Sequence, residues 1–135
     1  MKITGTYRVS FFWLALIFSM VNFSFVRQDG LEAVLNAFKT GNAAAIGAKM
    51  EDNVELTLPD QSAVLPKAQA QLQLAKFFNA NTAKGFELKH KGGAPGAAYA
   101  IGTLKTQQGD FRVNVFLRGK GAKELVRELR IQNMD

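Results

Sequence analysis

Residues Phe86 to Ile131 read FELKHKGGAPGAAYAIGTLKTQQGDFRVNVFLRGKGAKELVRELRI. The stretch divides into four β-strand patterns, Phe86–Lys91, Ala97–Thr106, Phe111–Arg118 and Lys123–Ile131. The connections Gly92–Gly96, Gln107–Asp110 and Gly119–Gly121 are short and each carries glycine. Short glycine-bearing links join neighbouring antiparallel strands, so the spacing predicts a four-stranded meander. A sheet that is apolar on one face must be covered, and the only helical patterns available lie upstream.

Working upstream, Pro66 opens a long helix over Lys67 to Asn79, because a proline at the first turn loses no hydrogen bond. Its apolar stripe is Ala70, Leu74, Phe77 and Phe78, with Leu72 at the margin. Before it, Val54, Leu56 and Leu58 alternate with Glu55 and Thr57 as a half-buried strand. Pro59-Asp60-Gln61-Ser62 turns the chain into a short returning strand, Ala63–Leu65. Leu31, Val34, Leu35 and Phe38 fall on one helical face, with Asp29 and Glu32 placed as a capping box and Gly41 as the C-terminal stop. Asn42 then caps a second helix, Ala43 to Met50, with Ile46 and Met50 inward. The pattern predicts an α+β fold: two helices, a short hairpin, a long helix and a curved antiparallel meander.

The chain has 135 residues, net charge +6 and no cysteine. Disulfides, lipid-modified cysteine, cysteine nucleophiles and cysteine metal sites are therefore excluded. Phe11 to Val26 contains no charge, and only Lys2 and Arg8 precede it. A basic start before a short apolar run is the pattern of an export leader. Residues 1–26 are read as a leader ending at Ser24 or Val26, or as an uncleaved anchor that would be the only membrane contact. Residues 27–135 then form one domain, exported to the periplasm or cell envelope. That domain carries +4 (15 basic against 11 acidic), with ten Lys or Arg and four Asp or Glu between Lys84 and Arg130. The basic sheet half is read first as a solvated surface that discourages edge-to-edge pairing.

The stretches Asp52-Asn53-Val54-Glu55-Leu56-Thr57-Leu58-Pro59, Lys67-Ala68-Gln69-Ala70 with Phe77-Phe78, His90-Lys91-Gly92-Gly93, Tyr99-Ala100-Ile101-Gly102-Thr103-Leu104 and Glu128-Leu129-Arg130-Ile131 resemble a family of small secreted Bacteroidetes proteins of unknown function. The element order resembles the nuclear-transport-factor-2-like fold, also seen in cystatin-like and ketosteroid-isomerase-like proteins. There a curved sheet wraps a long helix into a cone whose open end often holds a ligand. The resemblance implies fold and export, and no activity. Gly102, inside a strong strand pattern, is the expected site of a bulge or bend. Gly92–Gly96 reads as a five-residue hairpin tip and lacks the GK[ST] of a phosphate loop.

Alternation separates a core row, Phe111, Val113, Val115 and Leu117, from an outward row, Arg112, Asn114, Phe116 and Arg118. Proteins of the resembled fold often dimerise through the outer sheet face, so the outward row is a candidate homodimer interface anchored by Phe116. His90, the only histidine, lies at a strand end and could meet a ligand there. Arg127 interrupts Leu125, Leu129 and Ile131 in a row expected to face inward. If buried, it needs an acid such as Asp60 or Glu55, or an anionic ligand; if the strand bulges, it reaches water. A cone lined by Phe77, Phe78, Leu88 and Tyr99, with His90 and Arg127, would hold a small amphipathic or anionic molecule. Tyr99 and Asp60 resemble in type the pair used by ketosteroid isomerase, without a residue-by-residue match. No Ser-His-Asp set, H-E-x-x-H motif or paired catalytic carboxylates appear, so no catalytic residue, cofactor or metal is assigned, and an isomerase- or dehydratase-like enzyme is the less favoured alternative to a binding module or a homodimeric assembly protein. Nucleic acid is not an expected partner, because the basic residues lack an aromatic-basic recognition motif.

Overall fold

The structure, a computed structural model, describes residues 30–120 and 123–134. The leader pattern at 1–26 and the Asp29 cap lie outside them. The elements run α1 Gly30–Thr40, α2 Ala43–Gly47, β1 Met50–Leu58, β2 Gln61–Pro66, α3 Lys67–Ala80, β3 Ala83–Ala94, β4 Ala97–Thr106, β5 Gly109–Arg118 and β6 Leu125–Asn133. The strands form one six-stranded sheet in the order β2-β1-β6-β5-β4-β3.

The meander β3-β4-β5-β6 is antiparallel throughout, as its short links require. The β1–β2 hairpin is not a separate unit. β1 joins the meander by pairing parallel with β6, Leu56 beside Leu129. Parallel neighbours need a long crossover, here supplied by everything from β2 to β5.

Helix ends follow local chemistry, with one exception. Gly41, at φ 67°, lets the Asn42 N–H reach the Ala37 carbonyl (2.9 Å), closing α1. The Asn42 side chain accepts from the Ala45 N–H (3.0 Å) and starts α2. At the start of α1, however, the Leu31 N–H donates to Glu124 Oε1 (2.7 Å), across the molecule. Glu32, the expected capping-box partner, instead accepts from Lys91 Nζ of β3 (3.0 Å). Met50 is buried as expected but opens β1, because α2 ends at Gly47, whose α-carbon lies against Gln71 of α3.

The core lies between the helices and the inner sheet face. A chain of rings runs from Phe86 (β3) to Phe38 (α1), Phe78 and Phe77 (α3), and Phe111 (β5), with successive centroids 5.0–6.2 Å apart. Val113, Val115 and Leu117 continue the inner face, as their alternation predicts. Each such side chain contributes roughly 1.5–3 kcal/mol of burial free energy.

The ladders shift register at four places, and two of these bear on the site. Between Leu88 and His90 the β3–β4 register slips, and between Phe116 and Leu117 the β5–β6 register slips. The second leaves Arg127 as the extra residue between Val126 and Glu128. A bulge strengthens twist and re-aims side chains. Gly102 is not itself the bulge. It faces Leu88 beside the bulged partner strand, and the Phe86 ring and the Glu87 carbonyl occupy the space a Cβ would need. The expected five-residue tip is also shorter. Gly92 and Gly93 stay in the ladder, and Pro95-Gly96 alone turns, Gly96 taking the positive φ (86°) that a Pro-Gly turn favours.

Candidate functional site

A cleft of about 430 Å³ lies at one end of the sheet. Leu58 closes β1, Pro59 and Asp60 form the tight turn, and Gln61 opens β2. Gln73, Lys76, Phe77 and Ala80 lie on one face of α3, Asn81 follows it, Phe111 begins β5 and Asn133 ends β6. Leu58, Phe77 and Phe111 make an apolar floor, each under 9% exposed. The rim is polar, with Asp60 and Lys76 as its two charges. Gln61 Nε2 donates to Gln73 Oε1 (2.9 Å), tying β2 to the helix. Such a lining can hold an apolar body and hydrogen-bond a polar end. The cleft has one carboxylate, Asp60, and no histidine. No cluster of metal-ligating side chains occurs among the described residues.

The sequence-predicted ligand residues divide between this cleft and the opposite side of the sheet. Phe77 reaches the cleft, while Phe78 is buried among Phe38 and Phe77. Leu88 lies opposite Gly102 and is 42% exposed, lining no interior wall. Tyr99 faces outward, because its neighbours Ala100 and Leu104 take the inner face and Tyr99 pairs with Phe116. Arg127 is exposed at the bulge and needs no buried acid. The expected cone of Phe77, Phe78, Leu88 and Tyr99 with an inward Arg127 is therefore not formed; the protein's own rings fill that space.

On the outer face the structure gathers what the sequence read as two separate sets. His90 Nε2 and Tyr99 Oη are hydrogen-bonded at 2.7 Å. Tyr99 reaches across because the opposite residue is Gly92, over which the phenol lies. The Tyr99 and Phe116 rings are 6.3 Å apart and tilted by 32°. Tyr99, Phe116, Leu117, Arg118 and Arg127 line a groove of about 150 Å³, walled by Gly96–Ala98. Arg118 is engaged: its Nε and Nη2 donate to the two carboxylate oxygens of Glu51 (3.0 and 2.7 Å), which holds the guanidinium above its ordinary pKa. Of the outward row, Arg112, Phe116 and Arg118 are exposed and Asn114 is half-buried.

Sequence reasoning missed Gln61, Gln73, Lys76, Asn81 and Asn133 in the cleft and Glu51 beside Arg118. Gln73, Lys76 and Ala80 carry a usable signal, being spaced three and four apart along α3 beside the apolar stripe. Glu51 carries none, since its partner is 67 residues away.

A curved antiparallel meander packed on a long helix, with an N-terminal hairpin added, defines the nuclear-transport-factor-2-like class of α+β folds. A protein of that class and of unknown function from Cytophaga hutchinsonii superimposes with TM-score 0.57 at 11% identity, over 80% of this chain and 91% of that one. The chain belongs to the DUF4783 family, a domain of unknown function whose model matches residues 31–132. Crystal structures of DUF4783 family proteins from Bacteroides ovatus and Bacteroides uniformis are each 33% identical to it, with TM-scores 0.72 and 0.73. They cover 76% and 77% of this chain, and the match spans 94% and 96% of theirs. No curated protein matches the chain.

Proposed function

We propose that the protein is a small-molecule binding module that seats an amphipathic ligand in the cleft between the β1–β2 turn and α3. The observation that carries this reading is the cleft itself, an apolar floor of Leu58, Phe77 and Phe111 under a polar rim. Its volume lies within the range of about 300–1,000 Å³ common to ligand sites. The opposed charges of Asp60 and Lys76 favour a neutral or zwitterionic polar end over a simple anion. Export, read from 1–26, belongs to the same proposal and locates the ligand in the periplasm or envelope.

Native mass spectrometry of the protein recovered from its own envelope fraction tests the reading. The expected result is a small-molecule adduct on the wild type that Gln73→Trp, which fills the cleft, does not carry. A bare wild-type mass, or an adduct kept by Gln73→Trp, overturns it.

A second reading rests on the outer-face Tyr99–Phe116 ring pair, with Phe116 37% exposed and Tyr99 half-buried beside it. Rings at the centre of a polar face are typical interface anchors. On this reading two copies pair through the outer sheet face, and Phe116→Glu converts a dimer to a monomer in a sedimentation run. An equal mass for both proteins removes it.

A further inference from the structure

We propose that the outer-face groove at the β6 bulge is a second binding site, separate from the cleft, for a small aryl carboxylate. Three observations converge there. The bulge at Arg127 breaks the inward–outward alternation of β6 and adds a second guanidinium, besides that of Arg118, to a groove lined by Tyr99, Phe116 and Leu117 and walled by Gly96–Ala98. The floor is aromatic: Tyr99 and Phe116 lie 6.3 Å apart at a shallow tilt, and Tyr99 is fixed by its 2.7 Å hydrogen bond to His90. The charge is available: Arg118 is held by both oxygens of Glu51 and Arg130 by Glu128, whereas Arg127 has no ion pair among the described residues.

The chemistry selects the ligand class. A planar guanidinium recognises a carboxylate by two parallel hydrogen bonds. A face of two rings accepts a third ring by offset or edge contact. A groove of about 150 Å³ has room for a single ring bearing a carboxylate, not for an extended chain. Gly96, which forms a wall, has no side chain to intrude, and its backbone is held by the Gly119 N–H donating to the Gly96 carbonyl (3.2 Å). The proposal does not depend on the cleft reading.

The test is an NMR titration of the full-length protein with benzoate, alongside acetate, which lacks the ring, and benzyl alcohol, which lacks the charge. Benzoate is expected to give saturable shifts at Tyr99, Phe116 and Arg127, with acetate and benzyl alcohol each at least about 10-fold weaker. Arg127→Gln is expected to weaken benzoate by about 10-fold, with the rest of the spectrum unchanged. Phe116→Ala, also at an exposed position, should weaken it independently of charge. Non-saturating shifts, equal binding of benzyl alcohol, or undiminished binding by Arg127→Gln would overturn the proposal. Benzoate shifts confined to Leu58, Phe77 and Phe111 would do the same and would assign the binding to the cleft instead. A homodimer that buries Phe116 would close the groove, so benzoate that fails to dissociate such a dimer and gives no shift also rejects it.

Discussion

At two positions in the β3–β4 hairpin an aromatic ring lies over a glycine, where a Cβ would otherwise stand. Phe86 covers Gly102 on the inner face and Tyr99 covers Gly92 on the outer face. The two are not equivalent. At Gly102 the obstacle includes the Glu87 backbone carbonyl, which cannot swing away; at Gly92 it is the Tyr99 phenol oxygen, 3.0 Å from where a Cβ would stand, which can shift by giving up its hydrogen bond to His90. Gly102→Ala is expected to destabilise the protein by about 1–3 kcal/mol, read as a lower urea midpoint. Gly92→Ala should cost clearly less, while separating Tyr99 from His90. Phe38→Ala, which empties the middle of the ring chain, should cost about 3–5 kcal/mol. That Gly102 marks an irregularity was legible in the sequence; which strand carries the bulge was not, because it depends on pairing. The inward placement of Tyr99 failed for a related reason. In a strand, one step of phase sends every side chain to the other face, and Ala100, Leu104 and Thr106 claimed the interior.

At the scale of elements, helix limits were legible wherever their determinants are local. Asn42 and Gly41 act within three to five residues, and both do what their type implies. The start of α1 was not legible, because the carboxylate that meets its first turn belongs to Glu124, 93 residues further on. A carboxylate there satisfies an unpaired N–H and complements the positive end of the helix dipole. Glu124→Ala is expected to lower stability by about 0.5–2 kcal/mol, and Glu124→Gln by less, since an amide oxygen still accepts. Paired denaturation curves distinguish the two; equal losses would mean that charge, not the hydrogen bond, dominates. On β3, Lys89 and then Lys105 hold the exposed Glu87 carboxyl below its ordinary pKa. A depressed carboxyl stabilises the fold at neutral pH and loses that contribution as pH falls through its folded value. Glu87→Gln should therefore narrow the stability difference between pH 7 and pH 3 slightly, the pairs being solvated.

Across the whole molecule, the helices, the meander and its core row could be read from periodicity, and family likeness reinforced them. The partition of the candidate site could not. Phe77 and Arg127 appeared to share one pocket until the bulge in β6 and the phase of β4 set them on opposite sides of the sheet. Nor was the β1–β6 pairing visible, since a parallel ladder joining Leu56 to Leu129 leaves no local mark. It makes β6 the strand between β1 and β5, so a chain ending at Glu124 should lose the dispersed NMR spectrum of the folded protein. The same pairing has a consequence for how the molecule is made. Synthesis runs from the N-terminus, and the strand that closes the middle of the sheet is the last to appear. Until then β1 has β2 on one side and an open slot on the other, and the whole N-terminal half waits for the final strand. A chain stopped short of β6 is a receptor for that strand, and a separate peptide spanning 124–134 should complete it in trans.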